Sequence, residues 1–544
     1  MSFSSLRDFL HVPEILTGKG VRIAIVDGDF PTHPDITTNS EREVFLVRAS
    51  DPDPSPVLFQ STEGQWRNGA HGLCAAAAAA GSGELCNGLY QGVAPQADLF
   101  LVAGWSPGGG TDSKKNTECA LRWIKMNWQH YEIRGVLVAV RTGYDAGLLP
   151  WQTDSIQILC EELTHAGLFV VSGTGNNHDL TAMTQAASPS VLSVGGVIVP
   201  PDGDPRKALA YHGYRGVTFE GKHVPEILAP AENLVLPLGT DAELLNHLYA
   251  GVDVLPTGYA RIEGTSYAGP MLLGAAACVW QAHRNWGAQQ VRSALTHTSL
   301  TVPGSESLGA GLVWIKDAIV SSPDDSGSSE SAFATWNAWR NTSVQDRLSG
   351  LEMAEADVIE QILLSFLPDP LPANAIETVR GQLSHPWDHV RAAALCALAS
   401  RVSTLSSTEV FPMLRDISPL VRMAAIEAIQ VSHYLWEDSS PVLKDLFMDA
   451  NFNVRYASLH LASLIKQPSL IPYIIEGLEE DAQQGRVSNF GQRVIALKSI
   501  TGKEMSWETP YQLGECHYSE HCRNERIQVA RRWQTWWNQE RKNQ

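Results

Sequence analysis

The sequence predicts an α/β domain built on a doubly wound parallel sheet, followed by an all-α solenoid. Three observations carry this reading. Short apolar runs alternate with helical stretches through the first 320 residues, the pattern of a parallel sheet covered on both faces. The polar segment SSPDDSGSSES (321–331) then reads as a linker. Beyond it the strands vanish and a Val-Arg-x-Ala core recurs. The predicted boundaries are therefore 1–320 for the α/β domain, 321–331 for the linker and 332–544 for the solenoid.

The strand candidates are VRIAIVD (21–27), ADLFLVAG (97–104), GVLVAV (135–140), GLFVVSG (167–173) and SVLSVGGV (190–197). Each is a continuous Val/Ile/Leu-rich run, as a strand buried on both faces requires. In the last third, DHVRAAALCAL (388–398), PLVRMAAIEAI (419–429) and FNVRYASLHLA (452–462) place Arg391, Arg422 and Arg455 31 and then 33 positions apart. A weaker fourth unit covers IPYIIEGLEE (471–480) and FGQRVIALKSI (490–500). Helix pairs of this period stack because none buries its apolar face alone, and the array resembles HEAT repeats. The three arginines are expected to tie neighbouring turns together. The tail RRWQTWW (531–537) is expected to form a capping helix that buries tryptophans.

A net charge of −19 on 544 residues disfavours phosphate backbones and anionic membranes. No window approaches the roughly 18 apolar residues of a membrane span. The start, MSFSSLRDFLHVPEIL, shows no secretion signal. Eight scattered cysteines, several inside apolar runs, read as reduced core thiols. A cytoplasmic protein is expected, with no nucleic-acid or membrane partner.

Three residues carry the candidate chemistry. Asp27 ends the first apolar strand, at the carboxyl edge where α/β proteins place their sites. His71 starts an alanine-rich helix in NGAHGLCAAAAAAG (68–81). Ser266 lies in RIEGTSYAGP (261–270), just ahead of the apolar run MLLGAAACVW. Alone, that serine reads as a helix N-cap. With Asp27 and His71 it completes an Asp, His, Ser order, and Tyr267-Ala268 after it excludes the Gly-x-Ser-x-Gly turn of α/β-hydrolases.

Seven blocks in order then resemble the subtilisin-like serine proteases: VDGDFPTHPD, the AHG block, GVAPQADL (92–99), SGTGNN (172–177) with SPSVLSVGGV, HVPEILAP (223–230), GTSYAGP and GAGLVWIKDAI (309–319). The resemblance implies a subtilisin-like sheet and a serine endopeptidase, which the absent secretion signal and the scattered thiols make an intracellular one. Ser266 would be the nucleophile, His71 the general base, Asp27 its orienting carboxylate and Asn176 the oxyanion-hole donor. Arg141, Thr142 and Gly143 match the strand that pairs with substrate, and Ser172 and Gly173 join them as substrate-binding candidates. An arginine at that strand offers a cation to acidic substrates, with a solvated loop-edge arginine as the alternative.

The chain departs from the family at Gly28-Asp29, which follows Asp27 where Thr or Ser and then Gly are usual, and at Cys74, which replaces a second histidine. Asp29 is therefore the rival for the acid's role. Only 20 residues precede Val21, too few for the folding pro-domain of secreted relatives. No cofactor is expected. Calcium, common in the family, has no clear acidic loop here, and Cys516-His517 with His521-Cys522 is the alternative zinc reading. The partners expected are a protein or peptide substrate, and a regulatory protein on the array. The competing function is a degenerate subtilase that serves as a protein-binding scaffold.

Overall fold

The computed structural model describes residues 5–60, 71–104, 112–140, 147–178, 183–237, 255–256, 258–305, 311–323, 331–401, 404–505 and 519–543. Its strands are β1 (Arg22–Asp27), β2 (Val44–Arg48), β3 (Val57–Leu58), β4 (Asp98–Ala103), β5 (Ile133–Val138), β6 (Phe169–Gly173), β7 (Leu192–Ile198), β8 (Leu209–Ala210), β9 (Gly216–Val217), β10 (His223–Val224), β11 (Ile227–Glu232), β12 (Leu234–Pro237) and β13 (Tyr259–Ile262). The main sheet runs β11-β7-β6-β5-β1-β4-β2-β3, with β8 paired to β7. Its ladders are parallel except those of β3 and β8. All five predicted strands are present, as β1, β4, β5, β6 and β7.

β1 sits between β4 and β5, so the strand order reverses on either side of it. In a doubly wound sheet the crevice opens at such a point, beyond the carboxyl ends of the strands. Alternate β1 side chains serve opposite cores, Ile23 and Ile25 on one face, Ala24 and Val26 on the other. On the first face lie helices His71–Ala80 and Thr265–Ala282; on the second lie Ser113–Asn127 and Ser155–His165. Small side chains let the first two helices approach closely: a Cβ on Gly274 would stand 2.6 Å from the Ala79 carbonyl oxygen.

From Ala332 onward the regular elements among the described residues are all helices. Helices Asp388–Ala399, Pro419–Val431, Phe452–Ile465 and Val487–Thr501 lie side by side in chain order and share one apolar core. The repeated arginines act between turns. Arg391 binds both carboxylate oxygens of Asp416, at 2.8 and 2.9 Å, and the His385 carbonyl at 2.8 Å. Arg422 repeats this one unit later, with Asp449 at 2.8 Å and the Asp416 carbonyl at 2.8 Å. Arg455 keeps the carbonyl bond, to Asp449, but the next acid, Asp481, pairs with Arg486 and the wholly buried Arg493. The C-terminal helix Glu520–Asn543 buries Trp533 completely and packs Trp536 and Trp537 against the same core.

The array is docked on the α/β domain. Leu148, Leu149 and Phe219 are buried in the array's own core. Trp151 and Trp336 meet edge-on with ring centroids 5.0 Å apart. His389 donates from Nε2 to the Phe219 carbonyl at 3.0 Å.

Candidate active site

Asp27 is the last residue of β1 and is 4% exposed. Its Oδ1 accepts the Gly28 N–H at 2.6 Å, and its Oδ2 accepts His71 Nδ1 at 2.7 Å. An ionised carboxylate can only accept, so Nδ1 carries the hydrogen and Nε2 keeps its lone pair. His71 opens its helix directly above the loop that follows β1. A Cβ on Gly72 would stand 2.3 Å from the Asp29 carbonyl, so glycine is what allows this approach. Burial pulls the imidazole down, whereas the Asp27 charge and hydrogen bond push it up; it ends above its ordinary value. Asp29 turns elsewhere, to Arg48 at 3.3 Å.

Ser266 is the second residue of the Thr265–Ala282 helix. Gly264 precedes that helix at φ 143°, a conformation that side chains resist. Beneath it, a Cβ on Gly173 would meet the Thr265 carbonyl at 2.5 Å, so the helix start rests on the end of β6. Tyr267 brings its ring centroid within 5.7 Å of the His71 ring. Among the described residues no hydrogen bond joins Ser266 to His71, as is common before substrate tightens a site. The helix N-terminus favours negative charge developing at Ser266.

Asn176 follows the β6 strand. Its Oδ1 accepts the Thr265 N–H at 2.8 Å and the Thr265 hydroxyl at 2.9 Å. Those two donors fix the amide orientation and leave Nδ2 as the donating end, 3.2 Å from where a Cβ of Gly264 would lie. The Asn176 carbonyl in turn accepts His212 Nδ1 at 2.7 Å. Thr265 and His212 are thus supports that the sequence did not reveal. Thr265 was visible only as the residue beside Ser266, and His212 sits in no motif.

The substrate-binding candidates Arg141, Thr142 and Gly143 lie outside the described residues. Ser172, expected with them, is wholly buried in β6 and donates its hydroxyl to the Val138 carbonyl at 3.1 Å. It therefore ties the sheet together and presents no side chain to the crevice. Gly173 supports the Ser266 helix, as above. Cys74, one turn along from His71, is buried, donates to the Pro237 carbonyl, and has its thiol pushed up to about 12 by burial and the Asp27 charge. It is no nucleophile at neutral pH. Of the C-terminal Cys-His pairs, Cys516 and His517 lie outside the described residues. A different group, His212, Glu232 and Glu263, has the composition to hold a metal ion.

Residues 18–311 match the family model described as the subtilase family. Serine protease AprX of Bacillus subtilis (strain 168) is 28% identical over 299 residues, 54% of this chain and 64% of that protein. Subtilisin Savinase of Lederbergia lenta is 24% identical over 298 residues, 55% of this chain and 90% of that one. Among solved structures, fervidolysin from Fervidobacterium pennivorans aligns with a TM-score of 0.44 at 17% identity, over 58% of this chain and 46% of its own. Prenylagaramide maturation protease PagA aligns at 0.40 and 20%, over 58% of this chain and 96% of its own. The chain spans under two thirds of the AprX relative's length.

Proposed function

Because this chain belongs to the subtilase family, we propose that it is a serine endopeptidase whose nucleophile is Ser266. The observation that carries the reading is the 2.7 Å bond from His71 Nδ1 to the buried Asp27 carboxylate at the sheet's switch point. With Nδ1–H held there, Nε2 accepts the Ser266 proton as Oγ attacks the peptide carbonyl carbon. The oxyanion that forms receives hydrogen bonds from Asn176 Nδ2 and the Ser266 backbone N–H. Collapse expels the amine, which takes the proton from His71, and water then releases the acyl group by the same steps in turn. Asp27 accepts the Nδ1–H throughout and stabilises the imidazolium.

The array recruits or gates the protein substrate. Its docking supports this: Asn177, next to the oxyanion donor, bonds to Ser488 of the array. Tyr214, on the same side, meets Phe452 with ring centroids 6.5 Å apart. A protein held on the array at that seam would be presented at the edge of the crevice. A reducing compartment, the cytoplasm, suits the seven free cysteines among the described residues, six of them buried. Incubation of the full chain with an unstructured protein tests the activity: the parent cleaves it and the Ser266→Ala chain does not. Equal cleavage by both, or by neither, overturns the reading, and cleavage by neither favours the scaffold alternative.

A further inference from the structure

Three side chains from separate segments converge beside the oxyanion loop. His212 follows β8, Glu232 ends β11 and Glu263 follows β13. One donor atom from each lies within 4.8 Å of the other two. Backbone bonds set this convergence. The Gly264 N–H donates to the Ala231 carbonyl at 2.7 Å, which lays Glu263 beside Glu232. The Tyr211 N–H donates to the Gly196 carbonyl at 2.9 Å and fixes the approach of His212. Glu232 thus stands on the β11–β7 ladder, and the two backbone bonds tie the segments of the other two side chains to the sheet, which holds ligands more firmly than a free loop does.

We propose that His212, Glu232 and Glu263 form a site for one divalent transition-metal cation of the zinc or cobalt kind. The tautomer supports it. His212 Nδ1 bonds to a carbonyl oxygen, which only accepts, so Nδ1 holds the hydrogen and Nε2 offers its lone pair. A ligating histidine whose second nitrogen donates to a carbonyl is a recurring arrangement around metals. The charges balance too: two carboxylates and a neutral imidazole match a 2+ ion. One nitrogen and two oxygens suit zinc or cobalt, whereas calcium takes about six to eight oxygens. Ligand atoms of a tetrahedral zinc, each about 2 Å from the ion, stand about 3.4 Å apart, so modest rotations of the glutamates close the site.

Occupancy would brace the oxyanion loop, because the same imidazole holds the Asn176 carbonyl. The site is independent of the proteolytic reading, since its test uses a chain that lacks the nucleophile. The full chain carrying Ser266→Ala is stripped with a chelator and titrated with Co²⁺, followed by visible absorbance. The expected result is one equivalent bound with ligand-field bands, and affinity at least about tenfold weaker in each of Glu232→Gln, Glu263→Gln and His212→Ala. The two glutamine variants are isosteric and guard against loss of fold. A parent that shows no saturable spectrum overturns the site. So does equal binding by the glutamine variants, or loss of binding on Cys516→Ser with Cys522→Ser, which would move the metal to the C-terminal pair.

Discussion

Asn177 donates its side-chain amide to Ser488 Oγ at 3.2 Å, across 311 positions of sequence. The bond joins the array to the residue directly after the candidate oxyanion donor. Together with Leu148, Leu149 and Phe219 in the array's core, it makes the array part of the catalytic domain's surroundings. A fragment of residues 1–320 should expose those three apolar side chains, unfold at a lower temperature than the full chain and associate in solution. Calorimetry with light scattering checks this. In the full chain, Phe219→Ala should cost about 3 kcal/mol, as for a buried aromatic truncated in a packed core. A fragment as stable and monodisperse as the parent would show that the docking contributes nothing.

Asp27 and Asp29 separate cleanly as tests. Asp27→Asn should lower turnover about 10⁴-fold by leaving the imidazole in the wrong tautomer. Asp29→Asn should change it by far less, since Asp29 faces Arg48. Steady-state kinetics on one peptide decides between them, and reversed magnitudes would move the orienting acid to Asp29.

Asn176→Ala should leave the fold intact and reduce turnover roughly 10²–10³-fold, about 3 kcal/mol, the effect of losing one oxyanion donor. Thr265→Val should give part of that loss, because it removes one of the two donors that fix the Asn176 amide. If Asn176→Ala turns over like the parent, Asn176 is only a turn residue.

The rate should depend on pH through His71. A general base works when neutral, so kcat/KM should rise with pH through the imidazole's pKa in the free enzyme. Burial lowers that value and Asp27 raises it, with a net shift above the ordinary value of about 6.5. The acidic limb should therefore lie above 6.5. Asp27→Asn removes the raising charge and leaves burial, so its residual activity should show the limb displaced to lower pH. A parent limb below 6.5, or one that Asp27→Asn leaves in place, would contradict the pairing.

Much of this architecture was legible in the residues. A strand buried on both faces reads as an unbroken apolar run, so β1, and hence Asp27 at its end, stood out. The repeated Val-Arg-x-Ala core was legible because Arg391 and Arg422 perform the same task in successive turns. What remained hidden is long-range convergence. His212, Glu232 and Glu263 meet through long-range backbone bonds, and no periodicity links their positions. The array's docking was equally hidden, since Leu148, Leu149 and Phe219 read as ordinary apolar residues of the first domain. The bond from the Ser172 hydroxyl to the Val138 carbonyl on the neighbouring strand was likewise invisible, because no local pattern announces a contact across 34 positions.

Every catalytic role proposed for this site depends on Ser266 being a nucleophile activated by the His71–Asp27 pair. Treatment of the full chain with a fluorophosphonate probe, followed by digestion and mass mapping, tests it most directly. One covalent adduct is expected, on the peptide carrying Ser266, lost in Ser266→Ala and strongly slowed in His71→Ala. An adduct on a different residue, or no adduct on the folded parent, would contradict it.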